Sequence, residues 1–190
     1  MSRSNLFFIA LSFLFFATPL QAAPDTHEYS NYYEIQGTSA VGLRENMNAQ
    51  RPTAGKGDLD AYTEWKIKWH FDYQPQGQGC VLTQSRVSLD LIYLLPRWIN
   101  ETDADSALEA HWEKYLRNLH LHEKGHANNG RAAAEEIADM LQDLAPMSSC
   151  PLLEEMANQR AQQIILEHNV WDRQYDQETR HGATQGAVFP

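Results

Sequence analysis

Thr63–Tyr73, TEWKIKWHFDY, is the stretch whose reading decides the fold class. Trp65, Ile67, Trp69, Phe71 and Tyr73 alternate with Glu64, Lys66, Lys68, His70 and Asp72. A period of two is the mark of a β-strand with one buried and one wet face. Downstream, Gln74–Gly79 carries the Pro and Gly of a turn. Cys80–Leu95 then resumes the same period with Val87, Leu89, Leu91, Tyr93 and Leu95. The two segments are expected to pair as a long antiparallel hairpin. Upstream, Tyr29–Gln36 reads as a short strand ending at Gly37. Thr38 or Ser39 caps a short helix through Met47, and Ala49–Asp60 reads as a loop.

From Asp105 the period lengthens to about 3.6, as on one face of a helix. Leu108, Trp112, Tyr115, Leu119, His122, His126, Ala133, Ile137 and Leu141 step by three or four residues, or multiples of them. Asp105 or Ser106 supplies the cap and Pro146 ends the run, so one long helix is expected, bent near Asn128-Asn129-Gly130. A second helix follows Cys150-Pro151, with Leu153, Met156, Arg160, Ile164, Glu167 and Trp171 on its inward stripe. The tail Tyr175–Pro190, rich in Gly, Gln and Thr, is expected to be irregular. A small antiparallel sheet packed against a long helix and a C-terminal helix makes the fold class α+β.

The long helix carries His122-Glu123-Lys124-Gly125-His126, an H-E-x-x-H pattern. Residues i and i+4 share a helix face one turn apart, so two imidazoles can address one ion. Glu123 lies about 100° round the helix, where it can hold a water beside the ion; this is the spacing used by zinc hydrolases. Both histidines fall on the apolar stripe, where an unpartnered polar group costs about 1–3 kcal/mol. A catalytic zinc needs a third protein ligand. The pattern that supplies it six residues on fails, because Asn129 and Ala132 stand where Gly and His are required. Glu135 and Glu136 are too far along the helix, and His120 faces away. Glu167, Asp172, Asp176 and His181 remain as candidates.

The beginning of the chain reads as an address. Met1–Asn5 holds Arg3, Leu6–Phe16 is an uncharged apolar run, and Leu20-Gln21-Ala22 offers small residues for cleavage after Ala22. The run falls short of the roughly 20 residues a bilayer span needs. Residues 1–22 are therefore expected to be a removable signal peptide, and 23–190 one domain without a membrane span. The two cysteines, Cys80 and Cys150, both lie in the mature part. In an oxidising compartment, periplasmic or extracellular, a lone pair of this kind is expected to form a disulfide. The chain has 190 residues with 15 Lys+Arg against 25 Asp+Glu, for a formal charge of −10. That balance excludes a generic nucleic-acid binder, which needs a basic excess.

The order Tyr33-x-Ile35-x-Gly37, Trp65-x-x-x-Trp69, Leu95-Pro96-x-Trp98, His122-Glu123-x-Gly125-His126 and Tyr175-Asp176-x-x-Thr179-x-His181-Gly182 resembles domain-of-unknown-function family 922. Its members are bacterial proteins described as predicted secreted zinc-dependent proteases of the zincin type. The resemblance spans about Tyr29 to Pro190 and includes positions similar to the family's two cysteines. It implies a zincin-like fold and an exported metallopeptidase acting on peptide or protein substrates. It also places His181 ahead of Asp176 and Glu167 as third zinc ligand beside His122 and His126. Glu123 is then the general base, and Tyr175 or Thr179 orients a ligand or stabilises an oxyanion. Strand Thr63–Tyr73 or Cys80–Leu95 can hold extended substrate by strand addition. Two other functions share these residues: a zinc amidase acting on cell-wall peptides, and a non-catalytic exported zinc-binding module.

Overall fold

A computed structural model describes residues 23–52, 59–100 and 105–190; the signal peptide expected at 1–22 lies outside the described residues. In chain order the elements are β1 (Asp25–Ile35), α1 (Ala40–Gln50), β2 (Tyr62–Gln76), β3 (Gly79–Trp98), α2 (Ser106–Gln142) and α3 (Cys150–Thr179), followed by a 3-10 turn at Ala183–Gln185. The class is α+β, as the two periodicities require.

The hairpin forms as expected and is longer than its apolar alternation. β2 and β3 pair antiparallel from Tyr62↔Leu94 to Gln76↔Gly79, with one irregularity between Asp72 and Tyr73. The turn between them is only Gly77-Gln78. Gly77 adopts φ +61 there, the positive φ that a two-residue hairpin turn demands of its first central residue. The sheet itself differs from the expected antiparallel one. β1 pairs parallel with β3, from Asp25↔Ser88 to Ile35↔Trp98, so the sheet is mixed and its order is β1-β3-β2. α1 and the β2 strand fill the connection between β1 and β3, and a parallel pair needs a crossover of that kind. β3 is central, with β1 and β2 as the two edges.

The apolar face of β2 packs on α2 and α3. Trp65, Ile67, Trp69 and Phe71 lie against a core that includes Leu89, Leu91, Ala133, Ile137, Leu141, Leu153 and Ile164. The indoles also use their polar edges, Trp69 Nε1 donating to Asn158 at 2.9 Å. A second core gathers Ile35, Leu43, Met47, Leu95, Trp112, Tyr115 and Phe189 at the start of α2.

Three helix starts are set by side chains, as the sequence suggests. Ser39 accepts from Gly42 N–H and opens α1, Asp105 accepts from Ala107 and Leu108 N–H and opens α2, and Ser149 caps α3. α2 is one continuous helix through Asn128-Asn129-Gly130. Gly130 admits Trp65: a Cβ there would stand 2.7 Å from the indole Cγ. The inward stripe of α3 keeps Leu153 and Ile164 of the expected one, with Ala157 and Ala161 between them. Arg160, Glu167 and Trp171 are exposed. Alanines on α3 share one buried core with Ala127, Ala133 and Ala134 on α2, and small residues let two helices approach closely enough to bury their seam. Tyr175–Thr179, expected in an irregular tail, are the last turn of α3.

Cys80 and Cys150 form the expected disulfide, with Cα atoms 5.0 Å apart across a sequence separation of 70. It ties the start of β3 to the start of α3, next to backbone hydrogen bonds of 2.8 and 3.0 Å between Cys80 and Met147. A structural disulfide fits a compartment outside the reducing cytoplasm. Among the described residues no helix is long and apolar enough to cross a membrane.

Candidate metal centre

α2 presents His122 and His126 one turn apart, and α3 presents Asp172 and Asp176 at the same spacing. Where the two helices face one another, the pairs interlock. Asp176 Oδ1 stands 3.2 Å from His122 Nε2, 3.1 Å from His126 Nε2 and 3.3 Å from His181 Nδ1. Asp172 takes the other side of His126, its Oδ1 lying 2.8 Å from Nδ1. Asp172 is held in turn by Trp65, whose Nε1 donates to Oδ2 at 2.7 Å. The strand that decided the fold class therefore also fixes a carboxylate in the site.

His122 and His126 are 3% and 8% exposed and Glu123 is 2% exposed. His122, His126 and Asp176 each offer one ligand atom, and these atoms lie within 4.8 Å of one another. The two edges that meet at Asp176 suit a tetrahedral ion. Bonds of about 2.0–2.1 Å imply edges of about 3.3–3.4 Å, close to the 3.1 and 3.2 Å from Asp176 Oδ1 to the two Nε2 atoms. Imidazole and carboxylate donors are the chemistry zinc takes. The second ring nitrogens of both histidines are engaged by outer partners, as ligating histidines require.

His181, first among the expected third ligands, stands in the left-handed region at φ 51 and is exposed. Its Nδ1 reaches the same Asp176 oxygen from the rim. Glu167 is not in the site: it is exposed on α3 and accepts from Gln163 Nε2 at 2.7 Å.

Glu123 is buried because the start of β2 covers it. Thr63 Oγ1 lies 2.7 Å from Glu123 Oε2 and 3.1 Å from the Glu123 backbone carbonyl oxygen. Burial pushes the Glu123 carboxyl up, and the Thr63 bond with the neighbouring imidazoles only partly offsets that. Asp176 moves the other way. Burial raises it, but bonds and charge from His122, His126 and His181 outweigh this and hold it well below the usual carboxylate range. Burial likewise lowers His126, yet Asp172 and Asp176 prevail and raise it to about 9.

These groups line a cavity of about 270 Å³. Leu59, Ala61, Leu119 and Ala187 give it apolar wall, Tyr62 and Thr63 bring the edge strand to its mouth, and Asp60 completes it. The Asp60 carboxylate is neutralised: Arg44 Nη1 reaches both oxygens at 2.8 Å and Tyr115 donates at 2.7 Å.

Tyr175 and Thr179 act on His122 and not on the cavity, which neither lines. The Tyr175 ring stacks on His122 at 5.1 Å and 11°, and on Trp171 at 4.9 Å and 13°. Its hydroxyl donates to the His122 carbonyl at 3.3 Å. Thr179 Oγ1 donates to the Tyr175 carbonyl at 2.6 Å and stands 3.4 Å from His122 Nδ1. Both side chains thus stand against His122. Thr63, Gln185 and the pairing of Asp172 with His126 were not foreseen. The shared i, i+4 spacing of the two His and the two Asp was a usable signal for the last of these.

An α+β fold with two helices crossing at a His-His-Asp cluster defines a small protein built around a candidate metal centre. The chain belongs to the family described as bacterial protein of unknown function (DUF922), whose model matches residues 30–182. No curated protein and no solved structure matches it.

Proposed function

We propose that the chain is an exported zinc-dependent peptidase, periplasmic or secreted, in which His122, His126 and Asp176 hold the metal and Glu123 is the general base. The observation that carries this reading is the meeting of three ligand atoms within 4.8 Å at the wall of a cavity that also receives a buried carboxylate. Zinc, when bound, supplies a Lewis acid that polarises a scissile carbonyl and acidifies water. Glu123 takes the proton of the attacking water and returns it to the leaving amine. A carboxyl raised by burial suits that exchange, because a base poised nearer neutrality both accepts and donates. Thr63 holds the carboxylate in place. An extended peptide is accommodated along the outer edge of β2, whose start reaches the cavity; β3 is internal to the sheet and cannot serve.

A second reading has its own observation. His181 Nδ1 lies 3.3 Å from Asp176 Oδ1, so a swing of this exposed ring toward His122, His126 and Asp176 would close a four-ligand site, leaving no open position and a zinc-binding module without catalysis.

A digest of a peptide library with wild type and Glu123→Gln, alongside zinc stoichiometry, decides between them. A peptidase binds one zinc in both forms and cleaves only as wild type. If both bind zinc and neither cleaves, and His181→Ala weakens binding, the closed module replaces it. Absence of zinc binding in the wild type removes both readings.

A further inference from the structure

The chain does not end at α3. Arg180 and His181 turn it back through the left-handed region, Gly182 follows at φ 82, and the 3-10 turn leads to Gly186 at φ 88. This hook lies directly on α2. A Cβ on Gly182 would stand 3.0 Å from His122 Cβ and Cγ, and one on Gly186 would stand 2.6 Å from Asn118 Nδ2. The two glycines are four residues apart, matching Asn118 and His122, one helical turn apart. Beyond them Phe189 is 2% exposed, its ring 4.9–5.3 Å from His111, Trp112 and Tyr115. Arg44 Nε donates to the Phe189 carbonyl at 2.7 Å. The hook is thus pinned on both sides of Gln185.

Gln185 meets His122. Its Oε1 lies 3.1 Å from Nδ1, while its Nε2 donates to the Tyr175 hydroxyl at 2.9 Å. Because the single Tyr175 hydroxyl proton is donated to the His122 carbonyl, that oxygen can only accept from the amide, which leaves Oε1 facing the imidazole. We propose that Gln185 is a positioning residue whose amide oxygen accepts the Nδ1 proton of His122 and so turns Nε2 toward the metal. The inference rests on the metal centre proposed above. It makes the two histidines unequal: His126 is backed by the Asp172 carboxylate, His122 by a neutral amide. The neutral partner limits the negative charge gathered around the ion while still selecting the ring tautomer. Thr179, at 3.4 Å, is a weaker second acceptor and does not replace it.

The test compares wild type with Gln185→Met, which keeps length and removes the acceptor, and Gln185→Glu, which keeps the acceptor. Zinc affinity is measured by competition with a chelator. Proton NMR of the zinc-loaded protein reads the slowly exchanging Nδ1–H of His122. Gln185→Met should bind zinc about tenfold more weakly and lose that signal, whereas Gln185→Glu should keep both. Melting of the metal-free proteins reports folding separately. Wild-type affinity in Gln185→Met, or equal losses in both variants, overturns the positioning role while leaving the metal centre standing. A wild type that binds no zinc overturns the metal centre itself, and this role with it.

Discussion

Gly125→Ala has an opposite expected sign depending on whether Tyr175 is seated as described. In an open helix the change stabilises by about 0.8–1 kcal/mol, because alanine is the better helix former. Here a Cβ would stand 2.3 Å from the Tyr175 hydroxyl oxygen, 2.4 Å from Cζ and 2.6 Å from Cε1. Ordinary contact needs about 3.5–4.0 Å, so the ring must withdraw by about 1 Å. It has little freedom to do so, with Trp171 stacked at 4.9 Å on it and His122 at 5.1 Å. Overpacking of this kind costs about 1–3 kcal/mol. The boxed ring places it near the upper end, for a net loss of about 2 kcal/mol after the gain in helix propensity. At about 2–4 °C per kcal/mol, thermal unfolding followed by circular dichroism should show a drop of about 4–8 °C. Zinc affinity should fall too, because the displaced ring is the one that stacks on His122. In a Tyr175→Ala background the clash is gone and the same change should stabilise by about 1 kcal/mol. A rise in melting temperature in the wild-type background, or the same effect in both, would refute the seating of Tyr175 against the glycine of the motif.

The remaining expectations concern charge, cover and covalent closure. His126 sits at about 9 in the metal-free protein, above the ordinary 6.5. Its contribution to stability is therefore complete below about 6.5 and fades as pH rises to 9. Zinc must displace that proton, so zinc affinity should rise over the same window and calorimetry in buffers of different ionisation enthalpy should show proton release; pH-independent affinity would contradict it. Trp65→Phe removes the donor to Asp172 and should weaken zinc binding about tenfold with the sheet intact by circular dichroism. Thr63→Val leaves the Glu123 carboxylate without its partner, so turnover should drop while zinc stoichiometry holds. Reduction of the Cys80–Cys150 bond reopens a loop of 70 residues and should cost about 4 kcal/mol, read as a lower denaturation midpoint in urea.

The hairpin was legible because both strands announce their faces through large residues. Five alternating apolar side chains in Thr63–Tyr73 admit no other reading, and a positive-φ glycine closes the turn. The parallel partner was not legible. β1 shows a single buried end, Tyr33 and Ile35, and the rest of its side chains lie exposed, so nothing in it signals direction; its pairing is decided by the crossover through α1. The inward face of α3 was read correctly at Leu153 and Ile164 and missed between them, for a related reason. Periodicity weighs large apolar residues, yet Ala157 and Ala161 make the seam while Trp171 is turned outward. Where helices meet closely, the residues that bury best are the small ones, and they carry little weight in a pattern.

The centre divides along the same line. His122 and His126 could be read from one helix alone, since their geometry is the helix's own. Asp176 could be named only as one candidate among several. Preferring it to His181 in the proposed centre rests on α3 continuing through Thr179, which puts Asp172 and Asp176 on a regular turn opposite the two imidazoles. Had the chain left the helix at Tyr175, His181 would have been free to swing in and Asp176 would have had no fixed bearing. One further turn of helix thus exchanges the roles of two candidate ligands. It also delivers the hook that brings Gln185 to His122, because the left-handed residues at 180 and 181 reverse the chain only after that turn is complete. The length of α3 is therefore the single structural quantity on which the composition of the centre depends most.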